Sequence, residues 1–172
     1  LALSVAREKG LQLDETTSLD MAKSCYLQGR DDEGAAFVRQ VIGNNHESEK
    51  VLDVVRKVFD EVGRKDEGAA LIKQSVDDAV SINNEGVNRA RSGDLDGAIE
   101  LLEQAASRMP GNAHVVMNAA HSLIVHMQQH GPQPDKLRKV RDYIALTRSR
   151  NPRHPKFVQV NGMFQEMIRG LG

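Results

Sequence analysis

The sequence predicts an all-α protein, an array of about four helical hairpins with further helices at its ends. Three observations carry that prediction. The composition favours helix throughout: aromatics are 3%, only five prolines occur in 172 residues, and Ala, Leu, Val, Glu, Lys, Arg and Gln dominate. Next, Gly29-Arg-Asp-Asp-Glu-Gly-Ala-Ala36 returns 34 residues later as Gly63-Arg-Lys-Asp-Glu-Gly-Ala-Ala70, with seven of eight positions identical. Finally, Gly86 to Pro110 reads as one complete hairpin. There Gly86 permits close approach of two helices and Gly93 supplies the turn. Ala98, Leu102 and Ala105 form a small-large-small ridge, and Pro110 stops the second helix.

Taken in order, residues 1–12 read as a linker or N-terminal capping helix, stopped at Gly10. The chain starts without Met or a capping residue and so reads as an excised fragment. Residues 13–172 form the repeat region. Its first hairpin, about 16–44, pairs Thr17–Gln28 with Asp31–Ile42; Asp14 or Thr16/Thr17 caps it, and Leu19, Ala22, Cys25 and Tyr26 point inward. The second, about 47–80, pairs Glu47–Val62 with Lys65–Val80 across the loop Asn44-Asn45-His46, with Leu52, Val55 and Phe59 inward. In each copy of the echo the glycine ends one helix, and the acids that follow sit in the first turn of the next, where the helix dipole favours them.

A third echo, Gly93-Asp-Leu-Asp-Gly-Ala98, arrives with its Gly-Ala pair only 29 residues after Gly68-Ala69. About five residues are therefore missing before the third hairpin, about 80–110. Either the helix that starts at Lys65 runs on as a continuous helix of roughly 25 residues, or a tight turn falls at 81–84. The continuous helix is favoured, because no Pro or turn cluster interrupts Lys65–Arg91. The fourth hairpin, about 112–152, pairs Asn112–His130 with Asp135–Arg150 across Gly-Pro-Gln-Pro. A last helix, 154–170, places Phe157, Val160, Phe164, Met167 and Ile168 on one stripe, which seals the final hairpin. An exposed stripe that forms a homodimer is the alternative.

These residues resemble a tetratricopeptide repeat (TPR), with a Gly in the first helix, a turn Gly, an Ala-led ridge in the second helix and a closing Pro. Ile82, Glu85 and Arg89 depart from it, standing where Trp, Leu and Tyr are usual. The degenerate first helix and Asn83-Asn84-Glu85-Gly86-Val87 are similar to TPR arrays attached behind phosphoreceiver domains in bacterial two-component response regulators. The resemblance implies a right-handed α-α superhelix (solenoid) that acts in signal transduction as a protein–protein interaction module, with an upstream receiver domain. It also implies that the first helix of each hairpin lines a concave groove. In that register the groove is lined by Lys50, Asp53, Lys57 and Asp60, by Asn83, Val87, Ala90 and Arg91, and by His114, Met117, His121 and Ile124. Such a mixture suits an extended or helical peptide of another protein. The lysine-and-asparagine clamp of chaperone-binding members is not reproduced.

Charge supports a second reading. Residues 131–172 hold nine Lys/Arg against three acids, a balance of +6, which leaves −7 of the net −1 for residues 1–130. Lys136, Arg138, Lys139, Arg141, Arg148 and Arg150 could form a basic surface for nucleic acid, although no interleaved aromatics offer base stacking.

Enzymatic chemistry finds little footing, and the expectation is a non-catalytic protein without cofactor or metal. His126 and His130 are four apart on one helix, but a metal needs a third ligand, and no His-Glu-x-x-His is present. The two are expected at the carbonyl end of their helix. Asp31-Asp-Glu-Gly34 and Asp94-Leu-Asp-Gly97 lack the oxygen spacing of a calcium loop. Cys25 reads as a buried structural thiol. No Gly-rich phosphate loop follows a strand, and no Gly-x-Ser-x-Gly elbow occurs. With one cysteine, no signal peptide and no run of about 20 apolar residues, the expected setting is the cytoplasm, away from membranes.

Overall fold

The computed structural model describes residues 13–170, and every regular element among them is a helix. These are α1 (Glu15–Leu27), α2 (Asp31–Asn45), α3 (Glu49–Glu61), α4 (Lys65–Ser92), α5 (Leu95–Arg108), α6 (Ala113–His130), α7 (Pro134–Arg150) and α8 (Pro155–Arg169). The expected linker helix at 1–12 lies outside the described residues. The chain divides into two compact units, one ending at Asp77 and one starting at Asp78. Each has its own core.

The three echoes fold into one local structure. Gly29, Gly63 and Gly93 take φ of 71°, 73° and 93°, the left-handed region that a side chain resists. Around each, two reversed hydrogen bonds tie off the helix. Arg30 N donates to Cys25 O at 2.9 Å and Gly29 N to Tyr26 O at 3.2 Å. Arg64 N donates to Phe59 O at 2.8 Å, and Asp94 N to Arg89 O at 3.0 Å. This is the glycine-terminated cap that satisfies carbonyls left over at a helix end. The acids after each turn then open the next helix: Asp31, Asp32 and Glu33 on α2, Asp66 and Glu67 on α4, Asp96 on α5. Asp94 also caps α5 directly, accepting from Gly97 N at 3.0 Å.

In the first unit the second glycine of the echo sets the packing distance. A Cβ on Gly68 would lie 2.5 Å from Phe59 Cγ, so only glycine lets the Phe59 ring of α3 rest on the backbone of α4. Phe59 in turn meets Tyr26 of α1, ring centroids 5.0 Å apart and tilted by 52°. The Arg64 guanidinium covers Tyr26 at 5.4 Å and reaches Asp31 at 2.7 Å. Burial pushes the Tyr26 phenol up to about 12. The inward residues expected from the sequence (Leu19, Ala22, Cys25, Tyr26, Leu52, Val55 and Phe59) are all buried, and α2 adds Phe37, Val38, Val41 and Ile42. Truncating a side chain buried as fully as Phe59 costs on the order of 3–5 kcal/mol.

Helix α4 is unbroken for 28 residues, which discards the alternative of a turn at 81–84. Its residues to Asp77 belong to the first unit and those from Asp78 to the second. Asn83 does not break it because its side chain is satisfied inside: Asn118 Nδ2 of α6 donates to Asn83 Oδ1 at 2.8 Å. Gly86 faces Leu102, whose Cγ would stand 2.7 Å from an added Cβ. The Ala98-Leu102-Ala105 ridge is fully buried there.

Helix α6 is the centre of the second unit. It packs against α5, α7 and α8, and eleven of its residues are buried. Asn112 caps it, its Oδ1 accepting from His114 N and Val115 N at 3.0 and 3.1 Å. Helix α8 packs on α6 and α7 through Phe157, Val160 and Phe164, with Met167 and Ile168 partly buried against the same core. The stripe read as a seal is therefore spent inside this unit and is not an exposed dimerisation face.

Candidate functional site

In the first unit, α1 and α3 leave a cleft of about 400 Å³ between them. Leu19, Val51, Val54 and Val58 form an apolar floor, with Val54 42% exposed. The rims carry Glu15, Asp20, Lys23, Lys50, Lys57 and Glu61, and Lys23 bridges to Glu61 across one end. An apolar floor between mixed charges suits the side of a peptide helix or strand. Lys50 and Lys57 line this cleft. Asp53 does not, because Arg56 takes it at 2.6 Å together with Glu49, and Asp60 is exposed outside the lining residues.

In the second unit the implied groove residues separate into two sets. Met117 and Ile124 are fully buried, and Asn83 is 5% exposed, held in its bond to Asn118. They are core, contrary to the expectation that they face a partner. The reason is the crowding of α6: helices on several sides consume most of its circumference, and between His114 and Met127 all but His114, His121 and Val125 are buried. Val87 and Ala90 are partly buried against the core, and Arg91 is exposed.

Helix α8 adds two residues that the sequence reading did not place here. His154 lies with its ring 6.3 Å from that of His114, edge-on, and its Nδ1 is buried without a hydrogen-bond partner. Lys156 is partly buried, its ammonium pKa lowered by burial and then by Arg91. Burial and the charge of Lys156 likewise hold the imidazoles of His114 and His121 below their ordinary value. The signal was available in the sequence: Lys156 follows Pro155 at the start of a helix whose apolar stripe runs elsewhere.

The other histidine pair sits apart from this face. The rings of His126 and His130 lie with centroids 4.5 Å apart, tilted by 42°. His126 is buried beside Asp96 at 3.3 Å, and Lys136 Nζ stands 3.3 Å from both its ring nitrogens. Its neighbours are thus side chains of α5 and α7, not the carbonyl end of α6. Among the described residues no three His, Cys, Asp or Glu side chains gather as a metal would require. Cys25 is buried.

The basic residues of α7 are largely engaged. Lys139 meets Glu103 at 2.7 Å, Arg138 meets Asp135 at 3.0 Å, Lys136 donates to Gln133 Oε1 at 2.7 Å, and Arg148 donates to Asn161 at 3.3 Å. Arg141 and Arg150 are exposed. Of these partners only Glu103 brings a carboxylate from outside residues 131–172, so the contacts hold the cations in place and leave most of the +6 balance. No described helix is long and apolar enough to cross a membrane.

Comparison with family models, with curated proteins and with solved structures found no match for this chain.

Proposed function

We propose that the chain is a TPR-like interaction module that docks a segment of another protein, with one candidate surface on α1 and α3 in the first unit and another on α6 in the second. In this reading its hairpins belong to a right-handed superhelix and act non-catalytically. They serve as the output region of a bacterial signalling response regulator whose receiver domain lies upstream. One observation carries the proposal: α1 and α3, the first helices of the first two hairpins, leave between them a cleft with an apolar floor and charged rims. In the second unit His114 is exposed and His121 and Val125 are partly exposed on α6. The nucleic-acid alternative has less support, since at least four of the six cations assigned to it are engaged within the fold.

The test compares capture from a lysate by the wild-type chain with capture by two variants, Lys50→Ala/Lys57→Ala and Arg91→Ala/His121→Ala. Circular dichroism must show each variant folded. A protein held by wild type and lost by either variant supports the module. Identical capture by all three would refute docking on these faces.

A further inference from the structure

Charged groups from three helices of the second unit meet at one buried imidazole. His126, near the end of α6, is 7% exposed. Asp96, in the first turn of α5, brings Oδ1 to 3.3 Å from its Nε2. Lys136, in the first turn of α7, stands with Nζ 3.3 Å from both ring nitrogens. A point that near to both cannot lie in the ring plane without colliding with the carbon between them, so the ammonium sits out of that plane. On α6 itself the His130 ring lies 4.5 Å away, centroid to centroid. Helix α8 packs on α6 as well, and α4 reaches it through Asn83, but neither places a charged group among those that act on His126.

The same lysine anchors the connection between α6 and α7. Its Nζ donates to Gln133 Oε1 at 2.7 Å, Gln133 is the residue from which α7 starts, and no side chain caps that start directly. Just before it, Gly131 turns the chain at a φ of 85°. Leu137, which ends the first turn, is only partly buried. Val140, Ile144 and Thr147 hold the rest of the helix in the core, and Lys139 ties it to Glu103 at 2.7 Å. The start of α7 is thus the part of that helix able to leave on its own.

We propose that His126 is a pH-sensitive switch for the α6–α7 connection. Neutral, its ring seats the Lys136 ammonium and holds residues 131–137 in place, since an uncharged imidazole attracts a cation. Protonated, it repels Lys136, and the segment opens while the rest of the unit stays folded. Asp96 does not offset that repulsion, because its carboxylate is 89% exposed and water screens it. Burial, then Lys136 and His130, hold the imidazole below its ordinary 6.5, with Asp96 acting against them. The closed segment therefore refuses a proton that the open one accepts. The contribution of His126 to closure is present in full above pH 6.5 and is lost as the pH falls through the lower value of the closed state. The switch operates whether or not a partner docks on the helix faces.

Amide hydrogen exchange of the whole chain, read by NMR at pH 7.5 and 5.5 and corrected for intrinsic rates, tests the switch. The reporter is the Leu137 N–H, bonded to Gln133 O at 2.9 Å, with buried Ile144 as the control in the same helix. In wild type the protection of Leu137 is expected to fall about tenfold more than that of Ile144, with a midpoint that matches titration of the His126 ring. His126→Gln should abolish the difference. Lys136→Met, which keeps the stem without the charge, should abolish most of it, and His130→Gln should leave most of it. A difference that survives His126→Gln or Lys136→Met, or that disappears with His130→Gln, would overturn the switch. Equal loss at Leu137 and Ile144 in wild type, or no loss at either, would overturn it as well. Should His126→Gln fail to fold by circular dichroism, the Lys136→Met comparison decides alone.

Discussion

Gly86→Ala and Gly162→Ala make the same chemical change in the same unit and should shift stability in opposite directions. Both glycines lie inside helices, where alanine is favoured over glycine by about 1 kcal/mol. At Gly162 of α8 nothing lies within 4 Å of an added Cβ, so that gain is realised in full. At Gly86 the Cβ would meet Leu102 Cγ at 2.7 Å, Leu102 Cδ2 at 3.0 Å and Ala98 O at 3.3 Å. The first of these is the branch carbon of a buried side chain, and the last is backbone; neither can swing aside freely. Overpacking of this kind costs about 1–3 kcal/mol, which outweighs the propensity gain. Gly86→Ala should therefore lose about 1 kcal/mol and Gly162→Ala gain up to about 1, a spread of roughly 2 kcal/mol. Urea titration of each variant by circular dichroism reads the difference directly, and thermal midpoints should part by roughly 4–8 °C. Adding Leu102→Val, which removes a methylene, should recover part of the Gly86→Ala loss, so the pair will not be additive. If Gly86→Ala is as stable as Gly162→Ala, α4 and α5 do not approach closely at this point and the hairpin has been misread.

Other consequences are smaller or broader. Gly63→Ala places a side chain at a φ of 73° with no atom near it, so the loss is purely one of backbone, about 1–2 kcal/mol by urea titration. Truncating either member of the Asn83–Asn118 pair leaves a buried amide without its partner, at about 1–3 kcal/mol. The double Asn83→Ala/Asn118→Ala variant should lose less than the sum of the two. His46, His114, His121 and His126 are all held below their ordinary 6.5, with burial the largest cause in each. Below that value the unfolded chain takes up protons that the folded chain refuses. The stability present above pH 6.5 is therefore lost as the pH falls through the folded-state values. Urea midpoints measured at pH 7.5 and 5.5 should show the fall, and His121→Gln or His126→Gln should flatten it. An unchanged midpoint would mean that these imidazoles are more hydrated than the structure places them.

Much of the fold was legible because its signals are local. A glycine followed by acids specifies a capped turn whatever surrounds it, and all three echoes fold that way. The absence of breakers between Lys65 and Arg91 was enough to anticipate a continuous helix, three residues longer than the rough estimate. The open faces were less legible, because they depend on what lies across from a helix. Counting along α6 puts Met117 and Ile124 beside His121, yet neighbouring helices cover both. Asn83 looked like a polar groove residue because its partner, Asn118, lies 35 residues away. Lys156 was overlooked as a wall of the site because α8 reads as a seal, and periodicity reports only its buried side. The Lys23–Glu61 bridge across the α1–α3 cleft joins residues 38 apart, and no short-range pattern announces it.

The measurement closest to the central claim is site-specific photo-crosslinking in a lysate. A photoreactive residue would replace Val125, on the open stripe of α6, in one protein and Arg141, exposed on α7, in another. A discrete adduct to one protein from position 125, absent from position 141 and suppressed by Lys156→Ala, is the predicted result. Adducts of equal yield at both positions, or at position 141 alone, would contradict the assignment of the docking face.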